Sequence, residues 1–380
     1  MPSLSTALNL AREMVPQLRE NAAAVDAEAA WPEANLRALQ ACGLGGLVVP
    51  EEHGGMGLGL GALVRVGELL GQACASTAMC FGMHSVGSAV IAARANPEQG
   101  ALLRAIAAGN HLTTLALSET GSGAHFYLPA TQLRRDAGDV QLTGQKSFVT
   151  NGGHADSYVV SCASADPDAP PGEFSCVVVP AQTEGLTWKA PWAGLGMRGN
   201  SSRTVDIDIN LPASAFLGES GDQMWFVLNV VAPFFLCAMS GTYLGIATAA
   251  LNRTIEHLKH REHEHTGLPL SANQVLQHRT GQLWAANERT RCFTQSHADA
   301  SDAGEPNLAG ILSSKAEVAD AAVWVVNECM TLCGGRAYAE AGDFGRNLRD
   351  LRAVHVMSPT TDLLRTWVGR LLLDERLFSD

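Results

Sequence analysis

The sequence predicts an α+β protein built in the order helices, sheet, helices. Three observations predict it. An apolar period near 3.6 runs through the first third of the chain. Short period-two runs broken by Gly, Asn, Pro and Asp fill the middle, and long helical periods return after Leu217-Gly218 and persist to the end. With 380 residues, 46% hydrophobic and 17% charged, the chain can build large buried cores and is expected to divide into two or three folding units. The expected units are residues 1–112, 113–217 and 218–380.

In the first unit the helical period covers Leu4 to Leu18, Leu36 to Ala41 and Ala62 to Ala75, interrupted by the breaker-rich segment at 50–59. In the second, Val140 to Thr143, Tyr158 to Val160, Cys176 to Val179 and Val205 to Ile209 read as strands. In the third, Trp225 to Leu258, Leu276 to Ala298, Asn307 to Leu332 and Thr361 to Leu373 are each long enough for a bundle helix. Met224 to Leu251 holds no charged residue and matches a bilayer in length. Asn229, Pro233, Ser240, Gly241 and Thr242 interrupt it and no basic cluster flanks it, so it reads as a helix buried on all sides.

A formal charge of −12 makes nucleic acid and anionic membrane poor partners. The N-terminus lacks the apolar core of a secretory signal. The nine scattered cysteines, none in a CxxC pair, read as reduced thiols, and a cytoplasmic home is expected. His257, His260, His263 and His265 are interleaved with charged residues, which marks a solvated helix end, and no metal site is expected.

Six segments carry more information. Leu117-Ser-Glu-Thr-Gly-Ser-Gly-Ala-His125 enters the β region, and Gly144-Gln-Lys-Ser-Phe-Val-Thr-Asn-Gly152 follows. Gly194-Leu-Gly-Met-Arg198, the pairs Gly334-Gly335 and Arg349-Asp350, and Pro50-Glu51-Glu52 ahead of Gly54-Gly55 complete the set. In this order and spacing they resemble the acyl-CoA dehydrogenase family across nearly the whole chain. The resemblance implies an N-terminal helical domain, a central β-barrel domain and a C-terminal four-helix bundle. It also implies a homotetramer or homodimer, with FAD held between domains and across a subunit boundary.

What the resemblance implies about the flavin can be placed residue by residue. Leu117, Ser118 and the glycines after Glu119, Gly123 among them, would offer backbone donors. Phe148, standing where the family usually has Trp, and Thr150 would cover and bond the ring. Thr360 and Asp362 match flavin-contact positions, and Gly334 and Gly335 match the family's Gly-Gly pair. Arg261 and Gln274 match positions that reach the pyrophosphate and adenine of a neighbouring subunit. The link between those two is longer than the family's by about two residues, so FMN stands as the alternative cofactor.

The pattern fails at the catalytic base. In family members that desaturate acyl thioesters, a glutamate removes the α-proton while hydride leaves the β-carbon for the flavin. Counting nine positions from Arg349 reaches Ser358 instead. The alternative position, on the first bundle helix, holds Phe235, with Leu236 where an arginine would bind substrate. Three readings follow: a dehydrogenase of an acyl thioester with a relocated base, a flavin monooxygenase of the same fold, and a thioester-binding relative that does not desaturate. Asp362, one turn beyond Ser358, is the candidate base. His84 and His125 are candidate site histidines, the latter in place of the family's aspartate, and His125 is placed with Phe235 and Leu236 in the substrate pocket. An acyl thioester or other small molecule, and an electron-acceptor protein or dioxygen, are the expected partners.

Overall fold

The computed structural model describes residues 3–123, 125–136, 138–165, 175–218, 223–339 and 342–378. Five helices open the chain: α1 (Leu4–Ala27), α2 (Glu33–Ala41), α3 (Leu60–Gly71), α4 (Ala75–Ala93) and α5 (Pro97–Ala107). Local chemistry starts α1 and α5. Ser3 with Thr6, and Asn96 with Gln99, form capping boxes that satisfy backbone N–H groups of the first turn, and Pro97 sits where a missing N–H costs nothing. α4 is buried continuously from Ala75 to Ile91. It has no polar stripe, so the period read over Ala62 to Ala75 captures α3 and stops where α4 begins.

Seven strands follow: β1 (Thr113–Ala116), β2 (Gln132–Asp136), β3 (Asp139–Val149), β4 (Ser157–Ser164), β5 (Ser175–Pro180), β6 (Leu186–Trp188) and β7 (Arg203–Pro212). They pair in the order β1-β4-β2-β3-β7-β6, with β5 on β4. β1 runs parallel to β4 and β3 antiparallel to β7, Leu142 lying opposite Ile209. The alternation of β3 and β7 turns Val140, Leu142, Val205, Ile207 and Ile209 inward, where they meet Val160, Val177 and Val179 in a core separate from that of the helices.

A short helix α6 (Gln223–Phe226) and a π-turn at Val227–Val231 lead into α7 (Ala232–His260). α8 (Gln274–Asp302), α9 (Leu308–Cys333), α10 (Asp343–Val356) and α11 (Thr361–Leu372) complete the chain, and α9 packs against the other four. Four of these were legible as bundle helices. α10 was not, because its three arginines, Arg346, Arg349 and Arg352, dilute the apolar period. Two helical stretches, Ala75–Ala93 and Met224–His260, are long and apolar enough to cross a membrane, and 94% and 61% of their most apolar windows are buried inside the fold.

The N-terminal helices dock onto the bundle through glycine. A Cβ added at Gly241 would lie 2.5 Å from the Val64 carbonyl oxygen, and one at Gly245 2.4 Å from that of Glu68. From the other side, a Cβ at Gly71 would lie 2.4 Å from the Thr242 oxygen. α3 and α7 therefore touch backbone to backbone, and neither chain can retreat without opening the core. Gly245→Val is expected to destabilise the protein by about 3 kcal/mol, the upper range for overpacking, read as a lowered thermal midpoint. An unchanged midpoint would mean that this contact is loose.

Candidate active site

The sheet and the bundle enclose a cavity of about 510 Å³, within the size range of small-molecule sites. β1 and the loop after it contribute Leu115, Leu117, Ser118, Glu119, Thr120 and Gly123. The end of β3 contributes Phe148 and Thr150, the 192–202 loop contributes Trp192, Met197, Asn200 and Ser202, and the turn after α10 contributes Met357, Ser358 and Thr360. A second, narrow chamber of about 30 Å³ adjoins it, bordered by Phe126, Val231, Ala232, Phe235, Leu236, Pro359 and Trp367. Leu115, Leu117, Ser118, Phe235 and Ser358 border both.

A buried ion pair shapes the first wall. Lys146 is fully buried on the inner face of β3, its Nζ 2.5 Å from Glu119 Oε1, 2.9 Å from Ser161 Oγ and 3.2 Å from the Leu117 oxygen. Glu119 also accepts from the N–H groups of Ala130 and Thr131 and from the Thr131 hydroxyl. Burial opposes its charge, but Lys146 and these donors outweigh burial and hold the carboxyl below its usual range. Immediately after Lys146 the β3–β7 register slips, so Phe148 turns away from the β core and Val149 enters it. Phe148 takes φ +56° and is 60% exposed on the cavity, edge-on to Trp192. Met197 at φ +51°, Asn151 at φ +61° and Ser201 at φ +48° lie in the same region, so left-handed backbone, costly for side-chain-bearing residues, concentrates around the cavity.

The opposite wall is anchored by charge as well. Arg349 pairs with Asp26 of α1 and donates to the Leu195 oxygen at 3.0 Å, while buried Asp350 accepts the Met197 N–H at 2.7 Å. Burial pushes the Asp350 carboxyl up to about 6. The Nζ of Lys315, on α9, donates to the oxygens of Met357 and Pro359 at 3.0 and 2.8 Å and so holds the turn carrying Ser358; burial lowers this ammonium to about 7. None of Asp350, Lys315 or Lys146 borders either cavity.

Leu117, Ser118, Gly123, Phe148, Thr150, Ser358, Thr360, Phe235 and Leu236 are thus brought together as the sequence reading placed them. Three other placements, His84, His125 and Asp362, are corrected. His84 lies within the core, its Nδ1 accepting the Thr113 N–H at 3.1 Å and its Nε2 3.0 Å from the Gly45 oxygen; burial drives its imidazole down to about 4, and it borders neither cavity. His125 pairs with the Tyr127 hydroxyl at 2.9 Å, outside both linings. Asp362 is exposed in the first turn of α11 and borders neither cavity, so neither the base nor the flavin-contact role has support in the geometry. Arg261, Gln274, Gly334 and Gly335 lie elsewhere. Arg261 borders a cleft of about 640 Å³ with Arg253, His257, His260 and Arg336, next to Gly334-Gly335, and Gln274 is exposed at the start of α8. From Phe235 to Arg253 is 18 residues of α7, about 27 Å at 1.5 Å per residue, so one chain does not join the cleft to the cavity.

Residues that the sequence reading missed include Asn200, Trp192, Met83 and Trp367. Asn200 and Trp192 flank the Gly194–Arg198 segment, which was the available signal; Trp367 carried none. Among the described residues no group of three His, Cys, Asp or Glu could hold a metal ion.

A helical domain, a sheet domain and a helical bundle meet around the larger cavity, and comparison with known proteins specifies the class. The family models for the N-terminal, middle and C-terminal domains of acyl-CoA dehydrogenase match residues 5–110, 114–209 and 237–373. The chain belongs to the acyl-CoA dehydrogenase family of flavin-dependent oxidoreductases. It is 28% identical to a probable acyl-CoA dehydrogenase, fadE25, of Mycobacterium leprae, over 94% of this chain and 92% of that one. It is also 28% identical to cyclohex-1-ene-1-carbonyl-CoA dehydrogenase of Geobacter metallireducens, over 95% and 94%. The butyryl-CoA dehydrogenase structure from Megasphaera elsdenii shares the fold, with a TM-score of 0.91 at 22% identity over 97% of this chain and 98% of that one.

The cavity fits the flavin that the family binds. Asn200 Oδ1 is buried on its wall without a hydrogen-bond partner, an acceptor ready for a ligand N–H, and Phe148 offers an exposed aromatic surface held in a strained backbone.

Two outcomes follow. Breaking the buried pair by Glu119→Gln or Lys146→Met is expected to cost about 3–5 kcal/mol each, the double variant less than the sum, by chemical denaturation; strict additivity would show that the two do not act as a pair. Because the folded Asp350 carboxyl binds its proton more tightly than the ordinary 3.8, its contribution falls as pH rises from about 4 to about 6 and is level above. Asp350→Asn is expected to flatten that decline, and a persisting slope would assign it to another group.

Proposed function

We propose that this protein is an FAD-dependent oxidoreductase that oxidises an acyl group held as a CoA or carrier-protein thioester with an atypical base: no described carboxylate bordering the cavities is free to take the α-proton, which passes by way of the Ser358 hydroxyl to water. The family match supports the acyl-thioester part of this reading, and one observation carries the part about the base. Among the described residues bordering the two cavities, Glu119 is the only charged side chain, and Lys146 with three further donors already occupies it. At Ser358 the chain offers a hydroxyl, which cannot remove an α-proton unaided near neutral pH.

When bound, the flavin supplies a two-electron acceptor. The chain's own residues bind, orient and dry the site. The Leu117-Ser118 backbone, Phe148, Thr150, Asn200 and Thr360 would hold the ring system, and Phe235, Leu236 and Pro359 keep water from the substrate side. The cleft lined by Arg253, Arg261 and Arg336, where Asp343 pairs with Arg253 and leaves Arg261 and Arg336 as its further cations, supports FAD over FMN, because FMN has no second phosphate or adenosine to engage it. Its distance from the cavity along α7 supports a homotetramer or homodimer in which a neighbouring copy completes each cofactor site. A second reading, oxygen-dependent hydroxylation of a substrate in the same pocket, is favoured by the same apolar, base-free wall.

Anaerobic mixing of flavin-loaded protein with a panel of acyl-CoA thioesters is expected to bleach the oxidised flavin band slowly. Ser358→Glu returns a carboxylate to the turn and is expected to speed bleaching by about 10²-fold. Absence of bleaching with every thioester in both proteins would sink the acyl-oxidation reading, and oxygen-dependent product formation by pre-reduced protein would install the second.

A further inference from the structure

The narrow chamber has one unusual wall. Trp367, from the second turn of α11, is 1% exposed and borders the chamber, yet its indole Nε1–H has no hydrogen-bond partner among the described residues. Its ring is packed edge-on by Phe126, Tyr127 and Phe378, none of which offers it an acceptor. A buried indole N–H normally finds a partner, and leaving one unpaired is costly. The rest of the lining is apolar apart from the Ser118 and Ser358 positions at the junction with the larger cavity. About 30 Å³ open to water-sized groups holds two or three heavy atoms, since a single water needs roughly 10–15 Å³ on this measure.

Building on the acyl-thioester reading, we infer that the chamber selects a short acyl group carrying an acceptor oxygen, an ether, hydroxyl or keto group, within its last two or three heavy atoms, and that Trp367 Nε1–H is the donor that recognises it. Trp367 is then a specificity-determining residue: it closes the chamber against longer chains and favours an oxygen-bearing tail, which alone satisfies a donor that is unpaired in the free protein. Phe235 and Leu236 supply the apolar flanks of the same chamber.

Calorimetric binding of matched CoA thioesters to flavin-loaded protein under argon tests this. The pairs differ by oxygen for methylene: methoxyacetyl against butanoyl, and 3-methoxypropanoyl against pentanoyl. At least one oxygen-bearing member is expected to bind the wild-type protein about tenfold more tightly than its hydrocarbon partner, and octanoyl-CoA at least tenfold more weakly than butanoyl-CoA. Trp367→Phe, which keeps an aromatic wall and removes the N–H, is expected to bring the oxygen-to-hydrocarbon ratio to near one while hydrocarbon affinity stays within about twofold. A ratio near one for every pair in the wild-type protein, or a ratio that Trp367→Phe leaves unchanged, overturns the inference while the acyl-thioester reading stands. Failure of every thioester to bind overturns both. Should Trp367→Phe lose its native circular dichroism, the wild-type ratios alone decide.

Discussion

Lys146 sits at a strand position whose alternation calls for an aliphatic side chain, and it is buried there with its charge intact only because Glu119, Ser161 and the Leu117 carbonyl surround it. Desolvating both ions is expensive, and their mutual attraction repays it only with excellent geometry and with the remaining oxygens satisfied. That requirement ties the end of β1, the 130–131 segment and β4 to one point of β3. The two segments that would meet a flavin, Leu117-Ser118 and Phe148 to Thr150, are the neighbours of this pair in sequence, and their spacing across the cavity is set by it. The register slip just after Lys146 then decides which way Phe148 faces.

The same division of labour recurs around the cavity. Asp350 fixes Met197, Arg349 fixes Leu195 and Asp26, and Lys315 fixes the turn at Ser358, each from behind the lining. Charge is used to hold backbone in place, and the surface left to face a ligand is apolar or hydroxyl-bearing. A site of this kind orients and dries its substrate well, and among its described lining residues the one carboxylate, Glu119, is already paired with Lys146. The glycine contact between α3 and α7 serves the same end, bringing the apolar face of α7 within reach of β1.

Much of the site was legible because its residues occur in short contiguous stretches. Leu117-Ser118, Phe148 to Thr150 and Ser358 to Thr360 each keep their relative positions whatever the rest of the fold does. Asp362 and Ser358 were expected to share a helix face, but α11 begins at Thr361 with Thr360 as its cap, so Ser358 lies in the turn before it and the one-turn relation never applies. His84 stood next to a true cavity residue, Met83, on a helix buried all round, where sequence cannot say which side faces a cavity. That Asn200 Oδ1 and Trp367 Nε1 stand unpaired was invisible in the sequence, because pairing is known only once every neighbour is in place.

The order of helices, sheet and helices, the charge-free α7 and the serine at 358 were determined by the sequence alone, because periodicity, composition and identity at a counted position need no partner. Which side chains meet across the cavity, that Glu119 is spent on Lys146, and that His84, His125 and Asp362 stand apart were decided only by the tertiary structure. A one-residue slip in a strand or a cap placed two residues later reverses the direction of a side chain, and such shifts are settled by packing between segments far apart in the chain.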